Sequence, residues 1–321
     1  MRIQTAILPI LVLAWVPYVT ASAGDVLPEF RACVLKCIHT TCVYGPELPL
    51  HLRAMFWDCS QNCDYNCQRS ITADRIAVDK PVLQFHGKWP FKRVFGIQEL
   101  ASVLFSMANF VPHYLMFKKR HELPDDDTRA NLFLKKYCVL VTIVGMNAWV
   151  WSSVFHCRDF KLTERLDYFS AGLTVMTGFY FAVVRVFRLD RMGYGKIRRV
   201  FTLLCVAALL AHISYLSFIH FSYSYNMLAN VVIGILQNTI WIWFSITQYL
   251  KTKESYNLWP LWNVLLLSAG MSLELLDFPP LWDAVDAHSL WHAATVGPSV
   301  WWYCWMQLDL TVLARSKKAR D

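Results

Sequence analysis

Seven long apolar runs constrain the fold of this chain more strongly than any other feature of its sequence. Each is close to the ~20 residues that an α-helix needs to cross ~30 Å of hydrocarbon. Of the 321 residues, 56% are hydrophobic and only 17% are charged, which is too apolar for a soluble domain of this length. The sequence therefore predicts an all-α membrane protein, a seven-transmembrane helical bundle. The predicted spans are 95–117, 137–156, 166–187, 200–218, 225–246, 259–278 and 287–310.

Lysine and arginine are distributed unequally between the two sides of this predicted bundle. The connections after the first, third and fifth runs, together with the tail after the seventh, carry seventeen of them. The connections on the other side carry three, Arg158, Lys161 and Arg165. Because basic loops stay on the cytoplasmic side, we expect a lumenal amino terminus and a cytoplasmic basic tail at 313–321. The net charge of +8 fits this bias and does not indicate nucleic-acid binding.

The first 23 residues have the pattern of a secretory signal peptide. Arg2 supplies the positive charge, residues 6–19 are mostly apolar, and Ala21-Ser22-Ala23 fits the small-residue cleavage rule. An uncleaved first transmembrane helix is the alternative. In either case, the segment that follows is expected to enter the lumen of the secretory pathway.

Residues 24–91 are predicted to form a lumenal cysteine-rich segment ahead of a membrane domain at 92–312. Six of the ten cysteines lie here, which in an oxidising compartment predicts a disulfide framework. Their spacing is mostly helical, so two antiparallel helices could stack them in nested pairs. Six cysteines allow fifteen pairings, and a zinc cluster is the rival although Cys-x-x-Cys spacing is absent. The nested hypothesis is Cys33–Cys67, Cys37–Cys63 and Cys42–Cys59.

Two short histidine motifs lie at the predicted lumenal ends of the helices. Ser152 and His156 are four residues apart at the end of the second run, and the same spacing separates His288 and His292 in the seventh. Residues four apart share one face of a helix. Either motif alone is weak evidence, because a histidine at a helix end is more often capped or solvated. Topology nevertheless brings both motifs, and Asp167 of the third run, to one membrane level.

This combination predicts a hydrolytic zinc centre. Three imidazoles with one open coordination position hold catalytic zinc, and ionisable groups at membrane depth usually serve function. We therefore expect His156, His288 and His292 to bind Zn²⁺. Asp167 is predicted to orient the attacking water or take its proton, and Ser152 to donate a hydrogen bond to that water or to the developing oxyanion.

Other polar residues in or near the apolar runs are interpreted as structural rather than as metal ligands. Asn147 lies about 13 Å deeper than the first histidine motif and is interpreted as a hydrogen-bonding residue between helices. Glu274 is either a partner for a histidine N–H or a buried contact between two helices. Surface or packing positions are expected for His86, His113, His212 and the tryptophans at 301, 302 and 305.

The predicted zinc ligands belong to a wider set of motifs that is specific when taken together. Besides the six-cysteine segment, the set comprises Gly87-Lys-Trp-Pro-Phe91, Asn147-Ala-Trp-Val-Trp-Ser152, Phe155-His156-Cys-Arg-Asp159, Leu273-Glu-Leu-Leu-Asp-Phe-Pro-Pro280 and His288-Ser-Leu-Trp-His292. Through this set the chain resembles the Per-like GPI-lipid remodelling proteins, also called post-GPI-attachment factors, of the seven-helix CREST hydrolase superfamily. That superfamily carries Ser-x-x-x-His, then Asp, then His-x-x-x-His, and its three histidines bind zinc.

The resemblance implies a substrate that residue spacing does not. Members of this family remove the sn-2 acyl chain from the lipid of GPI-anchored proteins, so a zinc-dependent phospholipase A2-type hydrolase is expected. The implied partners are GPI-anchored proteins, whose lipid moiety is the substrate, and membrane lipids. The implied location is the endoplasmic reticulum membrane, as in fungal members, with the Golgi membrane of animal members as the alternative.

Two other classes of function stay open at this point. A ceramidase-like zinc amidase of the same superfamily would share the histidines, although the cysteine-rich segment argues against it. A receptor or channel without catalysis would bind no stoichiometric metal, and a cargo receptor for GPI-anchored proteins would keep its function when Asp167 is replaced by asparagine.

Overall fold

The computed structural model describes residues 22–45, 47–124, 129–191, 193–274 and 276–318. Within these ranges the chain is built almost entirely of helices, and β-structure is limited to isolated two-residue bridges. The predicted all-α fold class is therefore confirmed. The predicted signal peptide lies outside the described residues except for its last two, and the predicted domain limits stay predictions.

The cysteine-rich segment folds as a helical hairpin. Its helices are α1 (Pro28–Thr41), α2 (Leu50–Ala54) and α3 (Cys59–Ala77). α1 begins at a proline, whose missing N–H is tolerated in the first turn because it would have no partner within the helix. A capping box begins α3: the Asp58 carboxylate accepts from the Gln61 N–H at 2.7 Å, and the Gln61 side chain accepts from the Asp58 N–H at 3.2 Å.

Three disulfides join α1 and the turn after it to α3, and the nested pairing is confirmed. Their Cα–Cα distances are 5.7 to 5.9 Å, in the ordinary range for such bonds. Although the sulfurs of Cys42, Cys59 and Cys63 lie within 4.8 Å of one another, all three are oxidised and offer no thiolate to a metal. The rival zinc cluster is thus wrong. The bridges are Cys33–Cys67, Cys37–Cys63 and Cys42–Cys59.

The described part of the membrane domain contains seven α-helices and a short 3₁₀ helix, Ser255–Leu258. α4 to α8 belong to the five stretches that are long and apolar enough to cross a membrane. A membrane crossing by α9, which has 16 residues, or by α10 stays a prediction, so the count of seven spans is not established. The bounds are α4 Leu100–Lys118, α5 Arg129–Cys157, α6 Lys161–Val186, α7 Gly195–Ser214, α8 Tyr223–Thr252, α9 Trp259–Glu274 and α10 Ala287–Lys318.

Most helix boundaries differ by several residues from those predicted, and three of the differences have a clear local cause or form. α4 begins at Leu100 rather than at 95, because residues 94–97 form a tight turn in which Gly96 has a φ of 90°. Glycine accepts this backbone conformation without strain. α7 continues as one π-helical turn, Tyr215–Ile219. α10 extends to Lys318, well into the predicted tail, because no proline or glycine interrupts it after the last apolar residues.

The largest hydrophobic cluster lies at the bundle end where α4, α6 and α8 terminate. Trp241 and Trp305 are fully buried there, with ring centroids 5.1 Å apart, in accord with the packing interpretation of the tryptophan cluster. A buried ion pair lies beside them, in which Arg185 donates to both carboxylate oxygens of Asp309 at 2.6 and 2.5 Å. This end of the bundle is therefore a packed hydrophobic core that contains a bidentate Arg–Asp ion pair.

The helical hairpin covers the opposite end of the bundle. Arg69 of α3 donates to both carboxylate oxygens of Asp283, in the connection between α9 and α10, at 3.0 and 2.8 Å. The backbone N–H of Lys92 donates to the Asp283 carbonyl oxygen at 2.8 Å. The Trp89 indole N–H donates to Asp277 at 3.0 Å. These contacts seat the hairpin on the end at which α5 and α9 terminate and α10 begins.

Candidate metal centre

Three histidines meet at the bundle end that the hairpin covers. His156 lies in the last turn of α5, whereas His288 and His292 lie in the first two turns of α10. One ring nitrogen from each lies within 4.8 Å of the others, so the group could hold a metal ion. His156 and His292 are buried and His288 is partly buried. The structure thus brings together residues that are 132 positions apart in the chain.

Two of the three rings are oriented by carboxylates. Glu99, immediately before α4, lies 2.7 Å from Nδ1 of His156. Glu274, at the end of α9, lies 2.9 and 3.0 Å from Nδ1 of His288. Because an ionised carboxylate can only accept a hydrogen bond, Nδ1–H of each ring donates to it, which leaves the Nε2 lone pair to face the centre of the group. Histidines that bind metals are generally held in this way.

The spacing of the Nε2 atoms fits a zinc ion. Nε2 of His156 lies 3.3 Å from Nε2 of His288. Because both lone pairs face the same point, a cation between them relieves their mutual repulsion. Two nitrogens that each lie ~2.0–2.1 Å from a tetrahedral zinc ion are about 3.3–3.4 Å apart. The donor set is therefore suited to zinc, with a fourth position for water or substrate.

The hydroxyl group of Ser106 holds the third ring, that of His292. The Ser106 hydroxyl of α4 lies 2.9 Å from Nδ1 of His292 and 3.0 Å from the Ser152 hydroxyl. Ser152 is buried beside the histidines and reaches His292 through Ser106. The Asn109 amide donates to the His292 carbonyl oxygen at 2.6 Å, which fixes the backbone of α10 against α4. The role predicted for Ser152 stays a prediction.

Asp167 lies in the second turn of α6, beside the same group. Its carboxylate is partly buried and interacts electrostatically with His156 and His288. Among the described residues it makes no direct hydrogen bond to the three imidazoles. This position leaves the carboxylate available to a water or a substrate. The role predicted for Asp167 as a proton acceptor stays a prediction.

A buried ionic network surrounds Glu99. Its second oxygen accepts from the Lys88 ammonium at 2.6 Å, and that ammonium also lies 2.9 Å from Asp159. Burial alone would raise the pKa of Glu99, but the charge of Lys88 and the hydrogen bonds from Lys88 and His156 hold it well below its usual range. Glu99 is therefore ionised and presents a full negative charge to His156.

Glu99 and Ser106 were not identified from the sequence, although one signal was present. The otherwise apolar helix α4 carries Ser102, Ser106, Asn109 and His113 at steps of three or four, and all four are buried. Polar residues at that spacing form a stripe on one helix face. Glu99 lies one turn before this stripe, where a single acidic residue is equally typical of an ordinary helix start.

Other polar residues lie away from the three imidazoles. The Asn147 amide donates to the Ser170 hydroxyl at 2.9 Å and joins α5 to α6, in accord with its interpretation as a contact between helices. His212 hydrogen-bonds to α8 at 3.1 Å. His113 accepts from the Trp149 indole N–H at 3.1 Å, in a layer beneath the site. Their packing roles require no metal.

Fold and site together define a class: an all-helical protein with spans apolar enough for a membrane, a disulfide-bonded hairpin at one end, and a three-histidine centre beneath it. The Per1-like family matches residues 49–310 of the chain. The chain belongs to that family.

Relatives from fungi and vertebrates extend along most of the chain. The chain is 46% identical over 286 residues to the "Protein PER1 homolog" of Schizosaccharomyces pombe. The matched region covers 87% of this chain and 84% of that protein. It is 38% identical to "Protein PER1" of Saccharomyces cerevisiae, over 88% of this chain and 90% of the relative. It is 36% identical to the "GPI-specific phospholipase A2-like PGAP3" of Xenopus laevis, over 96% of each. No solved structure matches the chain.

Proposed function

We propose that this protein is a zinc-dependent phospholipase A2-type hydrolase that removes the sn-2 acyl chain from the lipid of GPI-anchored proteins. The observation that carries the proposal is the convergence of three imidazoles, two of them oriented by carboxylates through Nδ1. The name of the Xenopus relative, which describes it as GPI-specific and phospholipase A2-like, supports the choice of substrate.

The histidines and their hydrogen-bond partners form the proposed binding site for the ion. His156, His288 and His292 would bind zinc through Nε2, while Glu99 and Glu274 keep the Nδ1 protons of two of them in place. Bound zinc supplies Lewis acidity, which makes a water molecule acidic near neutral pH and polarises an ester carbonyl. The carboxylates of Glu99 and Glu274 would also offset the positive charge of the ion.

Asp167 would transfer the proton, and Ser152 would stabilise the negative charge that develops on the ester carbonyl oxygen. The Asp167 carboxylate accepts a proton from the attacking water and returns it to the departing glycerol oxygen. The Ser152 hydroxyl, now 3.0 Å from the Ser106 hydroxyl, donates to the oxyanion that forms on the ester carbonyl. Water is thereby added across the ester bond, and the products are a fatty acid and a lyso-lipid.

Exposed apolar side chains at this end of the bundle suit a substrate that stays in the bilayer. Phe218 and Trp282 are 87% and 85% exposed, and Ile219 and Leu276 are also well exposed. Tryptophan is enriched at the level of lipid headgroups. An acyl ester lies just below that level, so it could approach the histidines sideways from the membrane.

The proposed location is the membrane of the endoplasmic reticulum, with the Golgi membrane as the alternative. The three disulfides require an oxidising compartment, and the hairpin that carries them covers the same bundle end as the histidines. The active site would therefore be lumenal, where newly attached GPI anchors are found.

The test measures zinc content and acyl release with the same purified protein. Wild type should contain about one zinc per chain and release a fatty acid from a GPI lipid, whereas His292→Ala should lose both. His212→Ala is the matched control, because His212 hydrogen-bonds to α8 away from the site. Full acyl release by His292→Ala would refute the ligand assignment.

Two outcomes would favour the other functions. Release of a fatty acid from ceramide in preference to release from a GPI lipid would identify an amidase. Purified protein that contains no metal, and that binds GPI-anchored proteins without changing their lipid, would be a cargo receptor.

A further inference from the structure

A cavity of about 200 Å³ lies between the hairpin and the bundle. One wall is α3, a second is the linker of residues 85–93, and the floor is formed by residues 98–99 and 158–159. Glu99 belongs to both sites, because it lines this cavity and hydrogen-bonds to His156. A molecule in the cavity would therefore lie next to the proposed zinc centre.

The carboxylates of the cavity already have cationic partners. Asp64 lies 3.1 Å from Nε2 of His86, and that contact raises the pKa of His86. Glu99 and Asp159 share the Lys88 ammonium. The acidic groups in the wall are thus neutralised within the wall itself and offer little to a second cation.

Two arginines in the same wall lack such partners. Within the described residues, neither Arg93 nor Arg158 has a carboxylate oxygen at ion-pair distance. Their acceptors are neutral: Asn62 accepts from Arg93 at 2.5 Å, and Gln61 accepts from Arg158 at 2.7 Å. One buried nitrogen of each guanidinium, Nη1 of Arg93 and Nε of Arg158, has no hydrogen-bond partner in the described structure.

Both guanidinium groups contact one indole ring, and Arg158 is buried there while Arg93 is partly buried. Both stack on the Trp57 ring, at 4.3 Å for Arg93 and 3.8 Å for Arg158, and Arg158 is only 8% exposed. Burial lowers the pKa of both groups; the charge of Arg158 lowers the pKa of Arg93 further, whereas the charges of Asp159 and Asp58 partly oppose the effect of burial on Arg158. Neither guanidinium has a carboxylate in contact within the described structure, and a poorly paired cation is costly to bury, so the pair is suited to an anion that is not part of the chain.

The rest of the wall suits a ring that carries hydroxyl groups. Side-chain amides of Gln61, Gln68 and Gln98 can both donate to and accept from hydroxyls, and Trp89 and Tyr65 offer flat apolar faces. The volume is below the ~300–1,000 Å³ of pockets for drug-sized ligands, so it fits about one such ring rather than a chain of sugars.

We propose that this cavity is the headgroup subsite of the enzyme and binds a phosphorylated cyclitol, with the phosphodiester held by Arg93 and Arg158. A planar guanidinium matches a phosphate with two parallel hydrogen bonds. The inference rests on the proposed function, since a phosphoinositol headgroup held here places the glycerol esters of the same lipid beside the histidines.

The test is a binding titration that does not require turnover. Full-length protein in detergent is titrated with myo-inositol 1-phosphate, and one site per chain is expected. Arg93→Gln and Arg158→Gln should each weaken binding about 10-fold or more, because each removes a charge-assisted contact to phosphate. Arg75→Gln is the matched control: Arg75 lies in α3, donates to the Pro81 carbonyl oxygen and does not line the cavity, so this variant should bind as wild type.

Three further arms identify what is recognised. Inorganic phosphate and neutral myo-inositol should each bind at least about 10-fold more weakly than the phosphorylated cyclitol, since each makes half of the contacts. Equal binding of inorganic phosphate would show a bare anion site and overturn the headgroup assignment. If a glutamine variant does not fold, Arg93→Lys and Arg158→Lys keep the charge, and an intermediate loss of affinity is expected because the fork geometry is lost.

The two proposals can fail separately. His292→Ala, expected to lack zinc, should bind myo-inositol 1-phosphate as wild type does. In turnover, Arg158→Gln should raise KM for a phosphoinositol lipid about 10-fold and leave kcat nearly unchanged, because it acts on substrate binding. Absence of binding by wild type, or binding that ignores both arginine substitutions, overturns the headgroup subsite even if acyl release is observed. Binding without any acyl release would instead refute the enzyme.

Discussion

Glu99 connects the linker to the candidate metal centre. One of its oxygens accepts a hydrogen bond from Nδ1–H of His156, with 2.7 Å between the heavy atoms. The other oxygen accepts a hydrogen bond from the Lys88 ammonium at 2.6 Å. Such a carboxylate fixes the ring and increases the basicity of the nitrogen that faces the metal. Lys88 in turn stabilises the negative charge, which in a buried position would be costly without a partner.

Glu99→Gln should therefore weaken zinc binding about 10- to 100-fold, the usual effect of removing such a partner. The amide preserves the shape of the side chain but loses the charge. Affinity is measured by competition with a chelator of known strength. Glu29→Gln, an exposed acid of α1, is the control and should match wild type. Unchanged affinity in Glu99→Gln would show that the carboxylate does not orient His156.

Asp167→Asn should separate chemistry from metal binding. The residue stands beside the histidines without a direct hydrogen bond to them in the described structure, so its loss should leave about one zinc per chain. Acyl release should fall about 10²- to 10⁴-fold, because the amide cannot accept a proton. Elemental analysis and a turnover assay on one preparation give both values. Loss of zinc in this variant would make Asp167 a ligand and contradict its assignment as a proton acceptor.

Among the structural elements, the helices were predictable and the linker was not. Apolar runs and helical cysteine spacing follow from local periodicity, so the helices α4 to α10 and the nested disulfides were anticipated. Residues 85–98 have no such period. Their path is set by contacts with distant segments, such as the hydrogen bond from Trp89 to Asp277. Lys88 and Arg93 therefore gave no local sign that they line a cavity.

The contact between the linker and the hairpin should depend on pH. His86 of the linker lies 3.1 Å from Asp64 of α3, its backbone N–H donates to Asp25 at 2.9 Å, and its hydrogen bond to Asp64 raises its pKa. The folded protein thus binds the proton more tightly than the unfolded chain does. The stabilisation is complete below about pH 6.5 and is lost as the pH rises through the raised value.

Thermal melts of wild type and His86→Gln between about pH 6 and pH 9 check this dependence. Wild type should exceed the variant in Tm at the acidic end, and the difference should shrink towards the alkaline end. The effect should be small, because the His86 side chain is 58% exposed. A difference that stays constant across the range would show that the charge of His86 does not contribute.

Across the whole molecule, the candidate metal centre ties together helices that are distant in the chain. α5 and α10 supply the imidazoles, whereas α9 and the start of α4 supply the carboxylates. Topology predicted the imidazoles, because orientation rules place helix ends on one side of a membrane. It could not supply Glu99 or Ser106, since their roles depend on which helix packs beside which. A ligand shared in this way should stabilise the entire bundle.

Zinc removal should accordingly destabilise the folded protein as a unit. A ligand that binds only the folded state adds about 4 kcal/mol of stability at a free concentration 1,000 times its Kd. Chelation should therefore lower the Tm of wild type by several degrees, and added zinc should restore it. His292→Ala should melt at one temperature in either condition, because a donor of the centre is missing. Equal Tm values for wild type with and without chelator would mean that no ion bridges α5 and α10.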